Sequence, residues 1–390
     1  MDYPAQRLKT NFFAVLNTQV DLLQAQGADI IRMDIGSPDL PPAPHIIAAL
    51  AQAAERRDAH GYQSHRGTAA LRQAWAQMYA RVHGVRLDPE GILPLLGSKE
   101  GVFHISMALL NPGDLVLVPD PGYLTYTQGA IFAGAEPVPF PLLAENDYLP
   151  DLGAIPVETA RRARILWLNY PHNPTAAVAS LDFLEKAVDF CRQHDILLCH
   201  DAAYTQVTFD ETYAPSVLEV PGAGQVALEF ATLSKSHNMA GWRVGAALGQ
   251  PQALAALLKL KSHADSGHFM AVNEAVVAAL TGDQSWLADR NAIYQERRDV
   301  VVEALAKLGL EPHVPRASLY IWVPLPQGWD SDSFVLTALN QAHVSLAPGT
   351  LFGARGQGYV RISLTQPLDR TRAAMTRLGS WLQAGGLNHR

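Results

Sequence analysis

Apolar side chains recur along this chain in two alternating rhythms. At a spacing of three to four residues they mark helical faces at 12–26, 45–57, 67–83, 98–110 and 181–194. Short continuous apolar runs lie at 91–96, 115–119, 137–140, 165–169, 196–200, 226–233 and 244–248. Runs of this kind, separated mostly by helices, suit strands buried on both faces of a parallel sheet. The pattern predicts an α/β fold whose large domain is a predominantly parallel sheet flanked by helices. After residue 249 the rhythm changes. Helical patterns dominate 251–309, with a charged stretch at 291–308 that reads as a bridge between domains, and strands are expected near 318–323 and 358–364. Near the start, the four prolines of SPDLPPAP close off a first helix and the short strand IIRMDIG. The expected division is an arm and segment at 1–45 packing on the small domain, a large domain at 46–285 and a smaller α+β domain at 286–390. No repeat period and no low-complexity tract interrupts it.

Composition narrows the function classes. With 390 residues, 48% hydrophobic and 17% charged, the chain has ample material for a core and is not of the disordered type. Its net charge is −7 and no basic block of five or more occurs, which argues against a nucleic-acid footprint. A mildly acidic whole still permits a local cationic pocket for an anionic ligand. Cys191 and Cys199 are too few for a disulfide framework and suit a reducing compartment. The first residues lack the pattern of a secretory signal, and no apolar run approaches roughly 18 residues. The expectation is a soluble, cytoplasmic protein without a membrane span.

Four segments can carry chemistry. In Ser234-Lys235-Ser236-His237-Asn238-Met239-Ala240-Gly241-Trp242-Arg243, a lysine stands between two apolar strands. Burial there would depress its pKa and make it a nucleophile, with Ser234 and Arg243 placed to hold a phosphate. The ordinary alternative is a loop lysine beside an arginine in a surface ion pair. Gly97-Ser98-Lys99-Glu100-Gly101 opens a helix and reads as a phosphate cradle, or simply as a Ser-capped helix start. Asp201 ends an apolar strand, where open α/β sheets bind ligands; it could hold a positive ring nitrogen or cap the next helix. Asn169-Tyr170-Pro171-His172-Asn173-Pro174-Thr175 is a proline-stiffened turn that would fix the Asn173 amide. All four follow strand candidates. Taken with Tyr204, they describe one ligand, pyridoxal 5′-phosphate joined to a lysine. The fourteen histidines show no spacing that would imply zinc. The cysteines and Trp75, Trp242 and Trp322 read as packing residues.

These motifs, in this order from DIGSPD to YVRISL, resemble the class I/II aminotransferases of the aspartate-aminotransferase fold, the type I group of pyridoxal-phosphate enzymes. By that resemblance Lys235 is the lysine bonded to the cofactor and Asp201 the partner of its ring nitrogen. Asn173 and Tyr204 face the ring oxygen, Tyr123 stacks on the ring, and Ser98, Lys99, Ser234 and Arg243 form the phosphate shell. Tyr62 in YQSHRG is similar to the tyrosine that reaches the phosphate from a neighbouring subunit, implying a homodimer with shared sites. Arg361 matches the clamp on the substrate α-carboxylate, with the Gly36 backbone and Asn173 beside it. Two positions depart from the pattern: Ala176 stands where the family usually has Gly, and Leu124 where Pro-Gly-Tyr is usually followed by Pro.

The resemblance implies a ping-pong exchange of an amino group between an L-amino acid and a 2-oxo acid, with Lys235 as the proton carrier. GSKEG, NYPHNPT, CHDAAYTQVTFD and LKSHADSGHF look closest to the LL-diaminopimelate aminotransferase branch, which pairs LL-diaminopimelate with 2-oxoglutarate. His65, Arg66 and Asp265 are candidates for holding the distal end of such a substrate. Aspartate, alanine and aromatic aminotransferases share every cofactor motif, as does a pyridoxal-phosphate C–S β-lyase. A DNA-binding regulator with an aminotransferase-like sensor is disfavoured, because the fold is expected to begin within the first dozen residues and the charge is −7.

Overall fold

All seven apolar runs of the first 249 residues meet in one sheet in the computed structural model, which describes residues 12–386 together with Gln6. Counted along the chain, the strands are β1 (Ile31–Arg32), β2 (Ile92–Leu95), β3 (Leu115–Asp120), β4 (Glu136–Pro141), β5 (Ala163–Leu168), β6 (Leu197–Asp201), β7 (Ala227–Thr232) and β8 (Gly245–Gly249). The large sheet has the order β2-β8-β7-β6-β5-β3-β4. Its parallel ladders run from β4 through β3, β5 and β6 to β7; β8 alone is reversed, antiparallel to both β7 and β2. The fold is α/β with a mostly parallel sheet flanked by helices. Strands β5 and β7 are buried almost throughout, which is why they read as apolar runs interrupted only by Arg164, Glu229 and Thr232. The edge strand β4 carries Pro137, Pro139 and Pro141, residues without an N–H to offer a further strand.

The helices on this sheet are bounded by local chemistry. Ser180 accepts from the Phe183 N–H at the start of Leu181–His194, and Thr68 accepts from Leu71 at the start of Ala69–His83, which ends at the left-handed Gly84. The helix Leu124–Phe132 connects β3 to β4 without having been singled out from the sequence. Cys191 and Cys199 are free and buried.

The tail adds β9 (Tyr320–Pro324), β10 (Val344–Ser345), β11 (Ala347–Pro348) and β12 (Tyr359–Ser363). β9, β12 and β11 form an antiparallel sheet, while β1 pairs with β10 in parallel. Leu16, Val20, Ile31 and Met33 from the N-terminal segment share one apolar core with Phe334, Leu339, Met375 and Trp381 from the tail. The 22-residue helix Trp286–Lys307 joins the two bodies. Trp286 packs on the core of the large sheet, while Tyr294, Val301 and Leu305 enter the core of the tail. The arm before residue 12, apart from Gln6, lies outside the described residues. Among the described residues, no helix is long and apolar enough to cross a membrane.

Candidate active site

The carboxyl edge of the large sheet gathers the polar residues. Asp201 is the last residue of β6, Asn169 follows β5 and Tyr123 follows β3. Ser98 opens the helix after β2, and Lys235 lies in the turn of helix after β7. Because β8 is reversed, Arg243, just ahead of it, arrives at the same edge. These side chains line a cavity of about 330 Å³ with Gly36, Asn173, Tyr204, Ser234, Tyr320 and Arg361. Of the cofactor and α-carboxylate residues read from the sequence, only Tyr62 is not among the lining residues. It is 96% exposed, in a loop that packs on the segment 265–269 through the His60–Phe269 ring stack.

Lys235 is half-buried, and its Nζ donates to the carbonyl of Gly36. Burial lowers its pKa, with Arg361 and Arg243 adding to the effect. A Cβ at Gly36 would lie 2.0 Å from the Tyr320 hydroxyl, so only glycine lets the lysine and this tyrosine share the space. Asp201 Oδ2 accepts from the Tyr126 hydroxyl at 2.8 Å, while Asp201 Oδ1 is buried with no partner among the described residues. Burial pushes this carboxyl up to about 6, against the pull of Tyr126, His200 and Lys235. A cationic donor at Oδ1 is what the carboxylate lacks.

Arg361 is equally enclosed. Its Nη1 donates to Asn173 Oδ1 and its Nη2 to the Asp34 carbonyl, both at 2.8 Å, and its guanidinium stacks 4.0 Å from the Tyr320 ring centre. The Nε has no partner among the described residues. Tyr204 and Tyr320 share a hydrogen bond of 2.9 Å. Burial raises the Tyr204 hydroxyl; at Tyr320 burial is outweighed by Arg361 and Lys235, and the net shift is downward.

The opposite wall is a cradle of backbone and cations. Gly97 sits at φ +82°, and a Cβ there would lie 2.4 Å from Arg243 Nη2, so the glycine lets the guanidinium close on the loop. A Cβ at Gly245 would come within 2.5 Å of the Ser98 N–H nitrogen. Ser98, Lys99, Ser234 and Arg243 thus surround the N-terminus of the helix Ser98–Leu109, where N–H groups and the helix dipole favour an anion. One unpartnered buried carboxylate oxygen for a positive ring nitrogen, a cationic cradle for a phosphate and a lysine of lowered pKa between them fit pyridoxal phosphate.

The chain matches the family described as aminotransferase class I and II over residues 28–378. It belongs to that family. The LL-diaminopimelate aminotransferase of Moorella thermoacetica is 46% identical over 374 residues, spanning 96% of each chain. That of Desulforudis audaxviator is 48% identical over 374 residues, 96% of this chain and 95% of its own. Among solved structures, substrate-bound BacF from Bacillus subtilis superposes with a TM-score of 0.92 at 36% identity, over 96% of this chain and 95% of that one. This aminotransferase is therefore a pyridoxal-phosphate-dependent enzyme with the aspartate-aminotransferase fold.

Six lining residues were given no role from the sequence: Phe13, Asn169, Ala203, Thr232, Ala240 and Tyr320. Asn169 donates to the Asp201 carbonyl at 2.7 Å and accepts from the Asn173 N–H at 2.9 Å, bracing the turn after β5. Tyr320 arrives on β9, far away in sequence. Phe13 comes from the first helix. Tyr126, behind Asp201, stacks on Trp167 at 4.6 Å; its three-residue offset from Tyr123 in a helix was the available signal. Of the distal-end candidates, Arg66 pairs with Glu90 at 2.9 Å and Asp265 with Lys261 at 2.5 Å, and none of the three lines the cavity. Glu100, His104 and Asp265 approach within 4.8 Å of one another, but the Lys261 ammonium already bridges the two carboxylates.

Of the two departures from the family pattern, Ala176 holds φ +62° while buried, so the turn keeps a left-handed backbone despite its Cβ. Leu124 begins the helix Leu124–Phe132 directly after Tyr123.

Proposed function

We propose that this aminotransferase moves the amino group of LL-diaminopimelate to 2-oxoglutarate, within a cytoplasmic homodimer. The observation that carries the substrate is the near-full-length similarity, at 46% and 48% identity, to two enzymes of that name. In this reading the large domain spans 46–285, the small domain 286–390, and residues 1–45 pack on the small domain.

Asp201 Oδ1 would take the cationic ring nitrogen, and Asn173 Nδ2 and the Tyr204 hydroxyl would face the ring oxygen. Because Asn173 gives its Oδ1 to Arg361, its amide is oriented with the N–H₂ left to donate. Tyr123 would cover the ring, and Ser98, Lys99, Ser234 and Arg243 would hold the phosphate, with Tyr62 supplied by the partner subunit. Bound there, pyridoxal phosphate supplies an electron-accepting ring and a carbonyl carbon that exchanges amino groups. Arg361 grips the substrate α-carboxylate as a planar fork and, with the Gly36 backbone, sets the direction of the Cα–H bond. Lys235, its pKa lowered by burial, carries the amine that takes the proton from the substrate α-carbon and returns it.

The visible spectrum of the purified holoenzyme tests this. LL-diaminopimelate alone should bleach the yellow band and 2-oxoglutarate restore it. Bleaching by aspartate or an aromatic amino acid but not by LL-diaminopimelate would refute the donor. Pyruvate and ammonia formed from a cysteine conjugate without an oxo acid would mark a β-lyase. Tyr62→Phe mixed with Lys235→Ala should regain activity if sites are shared across subunits; no recovery from a mixed dimer would remove that assignment.

A further inference from the structure

Arg290 is a cation buried to 3% exposure, and burial pushes its pKa down to about 10 with no carboxylate among the groups that act on it. Such a charge is costly unless its donors are satisfied. They are spent almost wholly on backbone. Nη1 donates to the carbonyl of Lys235 at 3.0 Å and to that of Ser236; Nη2 donates to the Gln206 carbonyl at 2.6 Å. Its neighbour Asn291 steadies the fork through Oδ1, 2.6 Å from Nη2. One side chain of the joining helix therefore clasps the peptide unit of the lysine that the cofactor reading uses.

Two turns further along the same helix, Arg297 binds Asp39 through both carboxylate oxygens, at 2.7 and 2.9 Å, and the Leu364 carbonyl at 3.0 Å. Asp39 lies three residues beyond Gly36, the residue whose carbonyl receives Lys235 Nζ. Seven residues of helix rise about 10 Å and return to nearly the same face. The helix Trp286–Lys307 thus touches Lys235 at one end through its backbone and at the other through the segment that meets its amine.

We propose that Arg290 is a positioning residue for Lys235: together with Arg297 and Asp39 it holds the lysine between two fixed points of one helix, so that the amine is aimed into the cavity. A neutral amide in its place could reach one carbonyl but not three, and the lysine peptide would be free to turn. A displacement of about 1 Å at a reacting group costs on the order of 10²-fold in rate. The inference rests on the reading of Lys235 as the cofactor lysine.

The test uses the full-length holoenzyme carrying Arg290→Gln, Arg290→Lys or Asp39→Asn. Arg290→Gln should lower kcat by about 30-fold with KM within about threefold, since the contact acts on the lysine rather than on substrate binding. It should also move the pH midpoint of the cofactor's visible absorption by about half a unit or more, because the amine's surroundings change. Arg290→Lys, which keeps the charge without the fork, should recover part of both effects. A soluble Arg290→Gln with the wild-type midpoint, whatever its kcat, would overturn the proposal and leave Arg290 as packing. Should Arg290→Gln not fold, Asp39→Asn decides: it loosens the other fixed point, and an unmoved midpoint there overturns the proposal equally. Lys235→Ala separates the two readings. If it abolishes the band while the Arg290 variants leave it untouched, only the Arg290 assignment fails; if it leaves the band intact, the reading of Lys235 fails first.

Discussion

Two buried carboxylates stand on adjacent strands of the large sheet, Asp201 at the end of β6 and Glu229 within β7, whose backbone pairs with His200. Glu229 is saturated. Its Oε1 accepts from Tyr79 at 2.6 Å and Ser216 at 2.7 Å; its Oε2 meets His200 Nδ1 at 2.8 Å and accepts from the Val217 N–H at 2.9 Å. Burial alone would raise its pKa, yet His200 and these donors hold it down to about 2. Asp201 has one hydroxyl donor and one oxygen without a partner, and burial pushes it up to about 6. Both are buried, Asp201 at 6% and Glu229 at 0% exposure, but only Glu229 is satisfied. The protein completes Glu229 from its own residues and leaves Asp201 to be completed by what it binds, which separates a structural carboxylate from a functional one better than burial or charge does.

The comparison breaks most visibly at Glu229. Removing one partner of a buried, fully bonded charge costs about 3–5 kcal/mol. Glu229→Gln should lower stability by that amount in denaturant unfolding, with kcat per folded molecule almost unchanged. Asp201→Asn should do the reverse. It leaves the fold intact, but a neutral amide cannot hold a cationic ring nitrogen, and kcat should fall by about 10²–10³-fold. Equal losses of kcat in both variants would erase the distinction.

The two carboxylates also oppose each other with pH. Glu229 has a folded pKa below its unfolded value, so it stabilises the protein above about 4.5, and that contribution is lost as pH falls toward 2. Asp201 has a folded pKa above its unfolded value of 3.8. The native state then binds more protons than the unfolded one between 3.8 and about 6, and stability declines as pH rises through that window. In cofactor-stripped protein, Asp201→Asn should therefore match wild type near the bottom of this window and exceed it above, by up to about 3 kcal/mol. Unfolding curves at several pH values measure the difference; a gap independent of pH would refute the linkage. Cofactor binding should remove most of it.

What was readable beforehand divides along a similar line. The seven strands and the residues at their carboxyl ends came from local pattern, because a strand buried on both faces must be apolar and the chain must turn where it ends. Tyr320 was not readable. It reaches the cavity through the pairing of β9 with β12, where it stands opposite Ser363, and no local period encodes a partner that distant. The saturation of Glu229 was equally hidden: Tyr79, Ser216 and Glu229 come from three separate segments, and only their packing makes a single glutamate in an apolar run tolerable. Arg297 stood in the stretch 291–308 that the sequence marked as a charged bridge between domains, and Arg290 stood just ahead of it. The helix turns both inward against carbonyls and Asp39.

The smallest effect sharpens the comparison furthest, because it asks whether saturation means redundancy. Ser216 gives Glu229 one of its four contacts and also accepts from the Leu218 N–H at 3.1 Å, at the start of a short helical turn. In Ser216→Ala, Tyr79 still serves Oε1 and His200 with Val217 still serve Oε2. The expected cost is about 1 kcal/mol, that of one cap and one hydrogen bond, with cofactor retention unchanged. Tyr126→Phe removes the hydroxyl donor of Asp201, which has no such reserve. Its carboxyl should rise further above about 6 and be relieved by taking up a proton, so stability at neutral pH should again change by about 1 kcal/mol or less. The two substitutions separate in the pH profile: Ser216→Ala should leave the Asp201 window where it was, and Tyr126→Phe should move its upper edge to higher pH and weaken cofactor retention. If Ser216→Ala instead costs as much as Glu229→Gln, the four contacts act as one unit, and saturation at Glu229 confers rigidity rather than reserve.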